Sequence, residues 1–266
     1  KVEKALEKIP ETKFLGYETL EAKGKVLALF NEKGESVQKL KTGEKGLLVT
    51  DQTPFYAESG GQVGDKGHAG DASVDDTIKL AKRFAHRIQV GKTPIDAGAT
   101  IALSVNSALR KRTAIHHTAT HMLHAALRKK LGERVKQAGS LVDPDRLRFD
   151  FTYPRALTDE EIDTIESMVN TEVEKGTSVS IQEMPFDQAV QSGALAFFDE
   201  KYGKEVRVIR VGQDNPFSVE LCGGTHLSNI GDIGIVKITA ESSVASGVRR
   251  LEAVAGPRAL NFLNDR

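Results

Sequence analysis

The sequence predicts an α+β protein, with a small N-terminal β-barrel followed by a core in which two main helices pack on a mostly antiparallel sheet. Two observations lead to this fold class. Short apolar stretches separated by turns fill residues 13–111, whereas residues 112–256 combine helical periodicity with strand-like alternation. A length of 266 residues, 39% of them hydrophobic, suffices for one or two domains of ordinary core size.

The chain is predicted to begin with a short helix. Val2, Leu6 and Ile9 follow helical spacing until Pro10, which interrupts it. We therefore assign residues 1–12 to a linker helix stub.

Residues 13–111 are predicted to form a barrel-like subdomain. Three of its strands are expected at Lys25–Phe30, Gly46–Thr50 and Thr100–Val105. Their separation by turns is typical of a small barrel. Gly60 and Gly61 lie in a glycine-rich loop between these strands. Such a loop either lets a ligand or another chain approach the backbone closely or forms an ordinary turn.

Residues 112–256 are predicted to form the α/β core. One main helix is expected from about Thr113 to Lys130, and a capping-box pattern beginning at Thr158 predicts the other. The expected strands are Leu147–Phe151, Val179–Gln182, Val206–Val211, Phe217–Leu221, Gly234–Thr239 and Val248–Val254. Residues 257–266 are expected to start a C-terminal linker helix.

Composition and charge constrain the class of protein. The 37 basic and 37 acidic residues leave no net charge, which argues against a protein that coats nucleic acid by bulk electrostatics. Cys222 is the only cysteine, so an intramolecular disulfide is excluded and a reducing, cytoplasmic location is expected. The N-terminus alternates charged and apolar residues, so we expect neither a signal peptide nor a membrane span.

Two clusters about a hundred positions apart offer nitrogen and sulfur ligands for a metal ion. His117 and His121 are four residues apart in the first predicted helix, while Cys222 and His226 flank two glycines after a predicted strand. Three imidazoles and one thiolate suit zinc, whereas magnesium and calcium prefer oxygen ligands. The sequence therefore predicts a zinc site made of these four residues, with a buried thiol among packed histidines as the alternative.

Six stretches together resemble the editing domain of alanyl-tRNA synthetase, which is also found as free-standing alanyl-tRNA editing proteins. They are Asp51–Asp65, His117–Leu127, Gln137–Val142, Leu147–Phe151, Leu221–His226 and Gly247–Ala253. The editing domain of threonyl-tRNA synthetase is similar around the histidines and the cysteine. His116, where the family is expected to have asparagine, and a long loop at Gly212–Phe217 depart from the pattern.

The resemblance implies hydrolysis of an aminoacyl-tRNA ester. A pocket built for alanine excludes smaller glycine poorly and discriminates weakly against serine, so a second site must remove the errors. The expected substrates are Ser-tRNA(Ala) and Gly-tRNA(Ala). Thr118 stands where a His-Glu-x-x-His metalloprotease has its glutamate, which argues against peptidase chemistry.

The resemblance also implies the residues of the site. Gln137 and Cys222 are the expected catalytic residues, and the expected substrate-binding residues are Thr120, Ser140, Gly60, Gly61 and Arg249. Chemistry alone makes each polar pocket candidate equally compatible with a surface or capping role. Zinc could polarise the ester carbonyl, activate water or hold the substrate, and four protein ligands would instead suit a structural site.

The expected partner is the acceptor end of tRNA(Ala) carrying serine or glycine. The sequence resembles neither the aminoacylation domain nor the C-terminal domain of the synthetase, so we interpret it as an excised part of a longer enzyme. Two alternatives remain: a zinc-stabilised tRNA-binding module without turnover, and a free-standing protein that edits in trans.

Overall fold

The structure is a computed structural model and describes residues 2–195 and 204–265. Within these residues the chain forms two compact units. One unit contains residues 2–59 and 63–110, and the other contains residues 60–62 together with those from 111 onward. The α+β class and the mostly antiparallel sheets predicted from the sequence are confirmed.

The first unit consists of one short helix and many strands. Its elements are α1 Val2–Leu6, β1 Lys13–Phe14, β2 Glu21–Asn31, β3 Ser36–Val37, β4 Lys39–Leu40, β5 Lys45–Thr50, β6 Gln52–Thr53, β7 Gly67–Ala69, β8 Ala72–Leu80, β9 Arg83–Gln89, β10 Ile95–Asp96 and β11 Thr100–Val105. Strand β11 pairs with both β7 and β2. The antiparallel order β11-β7-β8-β9-β5-β2 therefore returns to its first strand.

The core of the first unit contains two kinds of buried interaction. Apolar side chains such as Leu48, Phe55 and Leu103 are no more than 1% exposed. The Arg110 guanidinium pairs with the buried Asp65 carboxylate and donates to backbone carbonyls as well. Because these partners satisfy the guanidinium, the buried ion pair is compatible with a dry interior.

The second unit contains the longer helices and two separate antiparallel sheets. Its elements are α2 Ser107–Leu131, which begins at the end of the first unit, β12 Gln137–Val142, β13 Leu147–Thr152, α3 Asp159–Glu174, β14 Val179–Pro185, α4 Phe186–Gln191, β15 Glu205–Val211, β16 Ser218–Leu221, a 3₁₀ turn Ile230–Ile233, β17 Val236–Ala245, β18 Val248–Ala255 and α5 Pro257–Asn264. The strand orders are β12-β13-β18-β17 and β14-β15-β16.

Helix α2 begins earlier than the sequence pattern indicated. The expected start was Thr113, but the helix begins at Ser107, where the Asn106 side chain accepts a hydrogen bond from the backbone of Leu109. Asparagine is a favoured N-cap residue because its carbonyl oxygen satisfies a free N–H of the first turn. The basic residues that follow therefore belong to the helix.

Helix α3 begins where the sequence predicted it. The Thr158 hydroxyl accepts from the backbone of Glu161, and the Glu161 carboxylate accepts from the backbone of Thr158. This reciprocal capping box satisfies two free N–H groups at the start of the helix. The buried face of α3, with Ile165 and Val169, packs into a core that includes Phe149 of β13.

No helix among the described residues is both long and apolar enough to cross a lipid bilayer.

Candidate metal centre

Helix α2 supplies two of the candidate ligands. His117 and His121 are one turn apart on the helix, their rings are nearly parallel, and their centroids are 5.3 Å apart. Both side chains are at least 90% buried. The periodicity of the helix thus places two imidazoles side by side in the interior of the second unit.

The loop after β16 supplies the other two ligands. The Cys222 Sγ lies 3.4 Å from His117 Nε2 and 3.3 Å from His226 Nε2. Gly224 makes this approach possible, because a Cβ at this position would lie 2.1 Å from His117 Cε1. Arg207 also holds the loop by donating to the carbonyls of Cys222 and Gly224.

The four candidate ligand atoms form one tight group. Those of His117, His121, Cys222 and His226 all lie within 4.8 Å of one another. The Nε2 of His121 is buried and has no hydrogen-bond partner. A buried imidazole nitrogen without a partner is costly unless something else binds it. One cation coordinated by all four atoms would satisfy this nitrogen, and the three-nitrogen, one-sulfur set fits zinc.

Each candidate histidine has a second interaction at its Nδ1. His117 Nδ1 donates to Gln62 Oε1 over 2.7 Å, and His121 Nδ1 donates to Glu220. The Nδ1 of His226 lies 3.3 Å from the hydroxyl of Thr118, which accepts from the backbone of Leu227. Outer partners of this kind fix the ring orientation of a metal-binding histidine. They leave Nε2 of each ring directed toward the common centre.

The charges around Cys222 favour its thiolate, which is the form that binds a metal. Burial by itself raises the pKa of the Cys222 thiol, but the neighbouring imidazoles outweigh this effect and hold the pKa well below its usual value. Burial and the neighbouring His117 imidazole lower the pKa of His226 to about 3. A thiolate and a neutral imidazole are the forms that bind zinc.

The pKa of His121 is shifted in the opposite direction to that of His226. Burial lowers the pKa of its imidazole, but the negative charges of Glu220 and Cys222 raise it more, so that the pKa lies above its usual value. A proton and a metal ion consequently compete for its Nε2. The Glu220 carboxylate is in turn shared with His124, whose Nδ1 donates to it over 2.7 Å. His124 therefore has the acceptor that the sequence alone did not identify.

Three predicted site residues, Gln137, Ser140 and Gly61, are connected by a series of contacts. The Gln137 side chain donates to the Ser140 hydroxyl over 3.3 Å. The backbone of Gly61 contacts Ser140 so closely that an added Cβ would lie 2.3 Å from its Oγ. Gly61 also accepts from the backbone of Val142. Its φ of +83° suits glycine, so both the close approach and the conformation explain the residue type.

The remaining predicted site residues have other interactions. The hydroxyl of Thr120 donates to the carbonyl of His116 one turn earlier in α2. Arg249 makes two hydrogen bonds to the carboxylate of Glu241. Gly60 has a φ of +58° and no atom within 4 Å of an added Cβ. None of these contacts connects the three residues to the metal cluster.

His116 has a structural role that accounts for its burial. Its Nδ1 donates to the carbonyl of Arg112 in the same helix, and its Nε2 accepts from the backbone of Ala255 at the end of β18. Burial lowers its pKa to about 4, which keeps the ring neutral. The residue that departs from the expected family pattern thus joins α2 to the sheet.

Sequence reasoning did not identify Gln62, Glu220 and Thr118 as partners of the ligands. Glu220 had a weak signal, since it lies near the end of the predicted strand and precedes Cys222 by two residues. Gln62 had none beyond its place in the glycine loop. Thr118 was noted only as the residue that replaces a glutamate.

Comparison with known proteins gives matches over both units. A family model described as tRNA synthetases class II (A) matches residues 1–109, and one described as threonyl and alanyl tRNA synthetase second additional domain matches residues 206–252. The alanine–tRNA ligase of Pseudomonas fluorescens is 51% identical over 257 residues, and that of Pseudomonas entomophila is 49% identical. Each match covers 95% of this chain and 29% of the relative, so the chain spans less than a third of their length.

Proposed function

Since the chain belongs to the alanyl-tRNA synthetase family and corresponds to its editing domain, we propose that it hydrolyses the ester bond of mischarged Ser-tRNA(Ala) and Gly-tRNA(Ala). Correctly charged Ala-tRNA(Ala) is spared. The proposed partner is the acceptor end of tRNA(Ala), and the proposed setting is the cytoplasm, where a reducing environment keeps Cys222 available as a ligand.

The observation that carries this proposal is the convergence of three imidazole nitrogens and one thiol on one partly buried point. We assign zinc to this point, held by His117, His121, Cys222 and His226. Bound zinc supplies positive charge that can polarise a carbonyl, activate water or hold the substrate. The protein's own contribution is to orient the ligands through Gln62, Glu220 and Thr118.

Selection of serine over alanine requires a polar group that is paired only when the substrate hydroxyl is present. Gln137 and Ser140 are the proposed candidates, because each is partly buried and their mutual contact of 3.3 Å is long enough to be exchanged for a substrate hydroxyl. Gln137 and Cys222 remain the proposed catalytic residues. Gly60, Gly61, Thr120 and Arg249 remain proposed for substrate binding.

A second candidate function follows from the number of ligands. Four protein ligands close the tetrahedral shell of zinc, which is the arrangement of structural sites, whereas catalytic sites keep an open position. The second unit would then be a zinc-stabilised module that binds tRNA without turnover. In that case removal of the metal would unfold the unit.

Deacylation assays distinguish the two functions. Purified protein is incubated with Ser-tRNA(Ala), Gly-tRNA(Ala) and Ala-tRNA(Ala), and metal content and circular dichroism are measured for the wild type and for Cys222→Ala. We expect the wild type to release serine and glycine faster than alanine and a folded Cys222→Ala to lose both zinc and activity. A folded wild type that binds tRNA but releases no amino acid would support the binding module.

A further inference from the structure

The side chain of Gln62 is completely buried and contacts one candidate ligand, His117, together with Thr225 in the loop that carries two others. Its Oε1 accepts from His117 Nδ1 over 2.7 Å and from the backbone N–H of Thr225 over 2.9 Å. Its Nε2 donates to the hydroxyl of Thr225 over 2.8 Å. Thus every polar atom of one glutamine side chain contributes to joining helix α2 to the loop that carries Cys222 and His226.

These contacts determine the orientation of the amide. The backbone N–H of Thr225 can only donate, so the atom that faces it must be the amide oxygen. The same oxygen faces His117 Nδ1, and an oxygen of this kind can only accept. His117 must therefore hold its proton on Nδ1, which leaves the lone pair of a neutral ring on Nε2, 3.4 Å from Cys222 Sγ.

We propose that Gln62 is a positioning residue that fixes the Nδ1–H tautomer of His117 and holds the 222–226 loop at the correct distance from it. This inference rests on the proposed metal centre. It assigns a role in metal binding to the segment 60–62, whose backbone also contacts Ser140 and Val142 of β12. One short loop thereby connects the candidate ligands to the strand that carries Gln137.

The tautomer can be measured without metal and without activity. Long-range nitrogen–proton correlation spectra of the 266-residue chain, labelled with ¹⁵N and stripped of metal, report which nitrogen of each imidazole is protonated. We expect His117 to be protonated at Nδ1. A neutral His117 protonated at Nε2 in the folded wild type would overturn the proposal without any substitution.

Substitutions of Gln62 then test the link to metal affinity. Gln62→Met has a similar length but no acceptor, so zinc affinity measured by competition with a chromogenic chelator should fall about 10- to 100-fold, as for other outer partners of ligand histidines. Gln62→Glu keeps an acceptor for His117 Nδ1–H and should restore most of the affinity. The exposed Gln182→Met, also in the second unit, should bind zinc like the wild type.

The results of these measurements distinguish an error about the role of Gln62 from an error about the metal centre. If the folded wild type binds no zinc, the metal centre itself is wrong. If the wild type binds zinc and Gln62→Met binds it equally well, the centre stands and the role of Gln62 is wrong. If Gln62→Met does not fold, two measurements still test the proposal: the tautomer of His117 in the wild type and the zinc affinity of Gln62→Glu. Neither measurement needs a variant that lacks the acceptor.

Discussion

His121 donates from Nδ1 to the carboxylate of Glu220, and the two side chains are only 8% and 4% exposed. The other carboxylate oxygen accepts from His124, one turn further along α2. A buried carboxylate is costly unless it is paired and hydrogen-bonded. Glu220 meets this condition through two imidazoles, so it fixes both the position of β16 against the helix and the direction of His121 Nε2.

Substitution of Glu220 should weaken metal binding. Gln at this position has one acceptor and one donor group, so only one of the two imidazoles can still donate to it. We expect Glu220→Gln to lower zinc affinity by about 10- to 100-fold, measured by chelator competition. Glu205→Gln removes an exposed charge from the same small sheet and should leave zinc affinity unchanged. Equal affinities for the two variants would argue that Glu220 has no part in metal binding.

Gly224 should be intolerant of any side chain. A Cβ there would lie 2.1 Å from His117 Cε1 and 2.8 Å from Gln62 Oε1, so the loop or the imidazole must move. We expect Gly224→Ala to lose zinc and to lower the free energy of unfolding of the second unit by about 1–3 kcal/mol. Zinc content and urea unfolding measure the two effects. Gly139→Ala, whose Cβ would be no closer than 3.4 Å to Asp150, should retain zinc.

The residues of the candidate centre could be predicted because their signals are local. The spacing of His117 and His121 depends only on the helical period, and that of Cys222 and His226 depends on a glycine turn after a strand. The start of α3 was predicted for the same reason, since Thr158 and Glu161 interact within one turn. Gln62 lies 55 positions before His117, so no local pattern marks it. Glu220 lies close to Cys222 in the sequence, but the histidines that it contacts are 99 and 96 positions away.

Two strands of the first unit were missed for a different physical reason. Strands β8 and β9 form a hairpin through Ala81 and Lys82, which have φ values of 45° and 64°. Such turns usually contain glycine, asparagine or aspartate, because other residues adopt positive φ at a cost. The sequence therefore has no turn signal here.

The stability of the first unit should depend on pH because of His86. Its Nδ1 donates to the carbonyl of Leu48, its Nε2 lies 2.8 Å from the hydroxyl of Thr53, and burial lowers its pKa to about 4. The unfolded chain, with the usual pKa of 6.5, takes up a proton first as the pH falls. The stabilisation is therefore complete above pH 6.5 and is lost between that pH and about 4.

The size of the effect follows from the same shift. We expect the free energy of unfolding to fall by about 3 kcal/mol more in the wild type than in His86→Gln across this pH range. The glutamine amide can donate to Leu48 and accept from Thr53 but does not titrate. Urea unfolding of both proteins, with hydrogen exchange of β5 and β9 amides, measures the difference. Identical pH profiles would show that His86 does not titrate on unfolding.

Substitution of Arg249 tests whether the beginning of β18 takes part in tRNA binding. The guanidinium makes two hydrogen bonds to Glu241, so its proposed contact with the nucleic acid must either share the guanidinium with this carboxylate or replace it. If Arg249 contacts a phosphate, Arg249→Met should reduce the slope of log affinity for tRNA(Ala) against log salt concentration by about one unit.

Arg249→Lys keeps the charge and should retain the slope, although it loses the paired geometry with Glu241. Arg250→Met, on the opposite face of the strand, is the matched control and should not change the slope. An unchanged slope in Arg249→Met would restrict this arginine to its ion pair with Glu241.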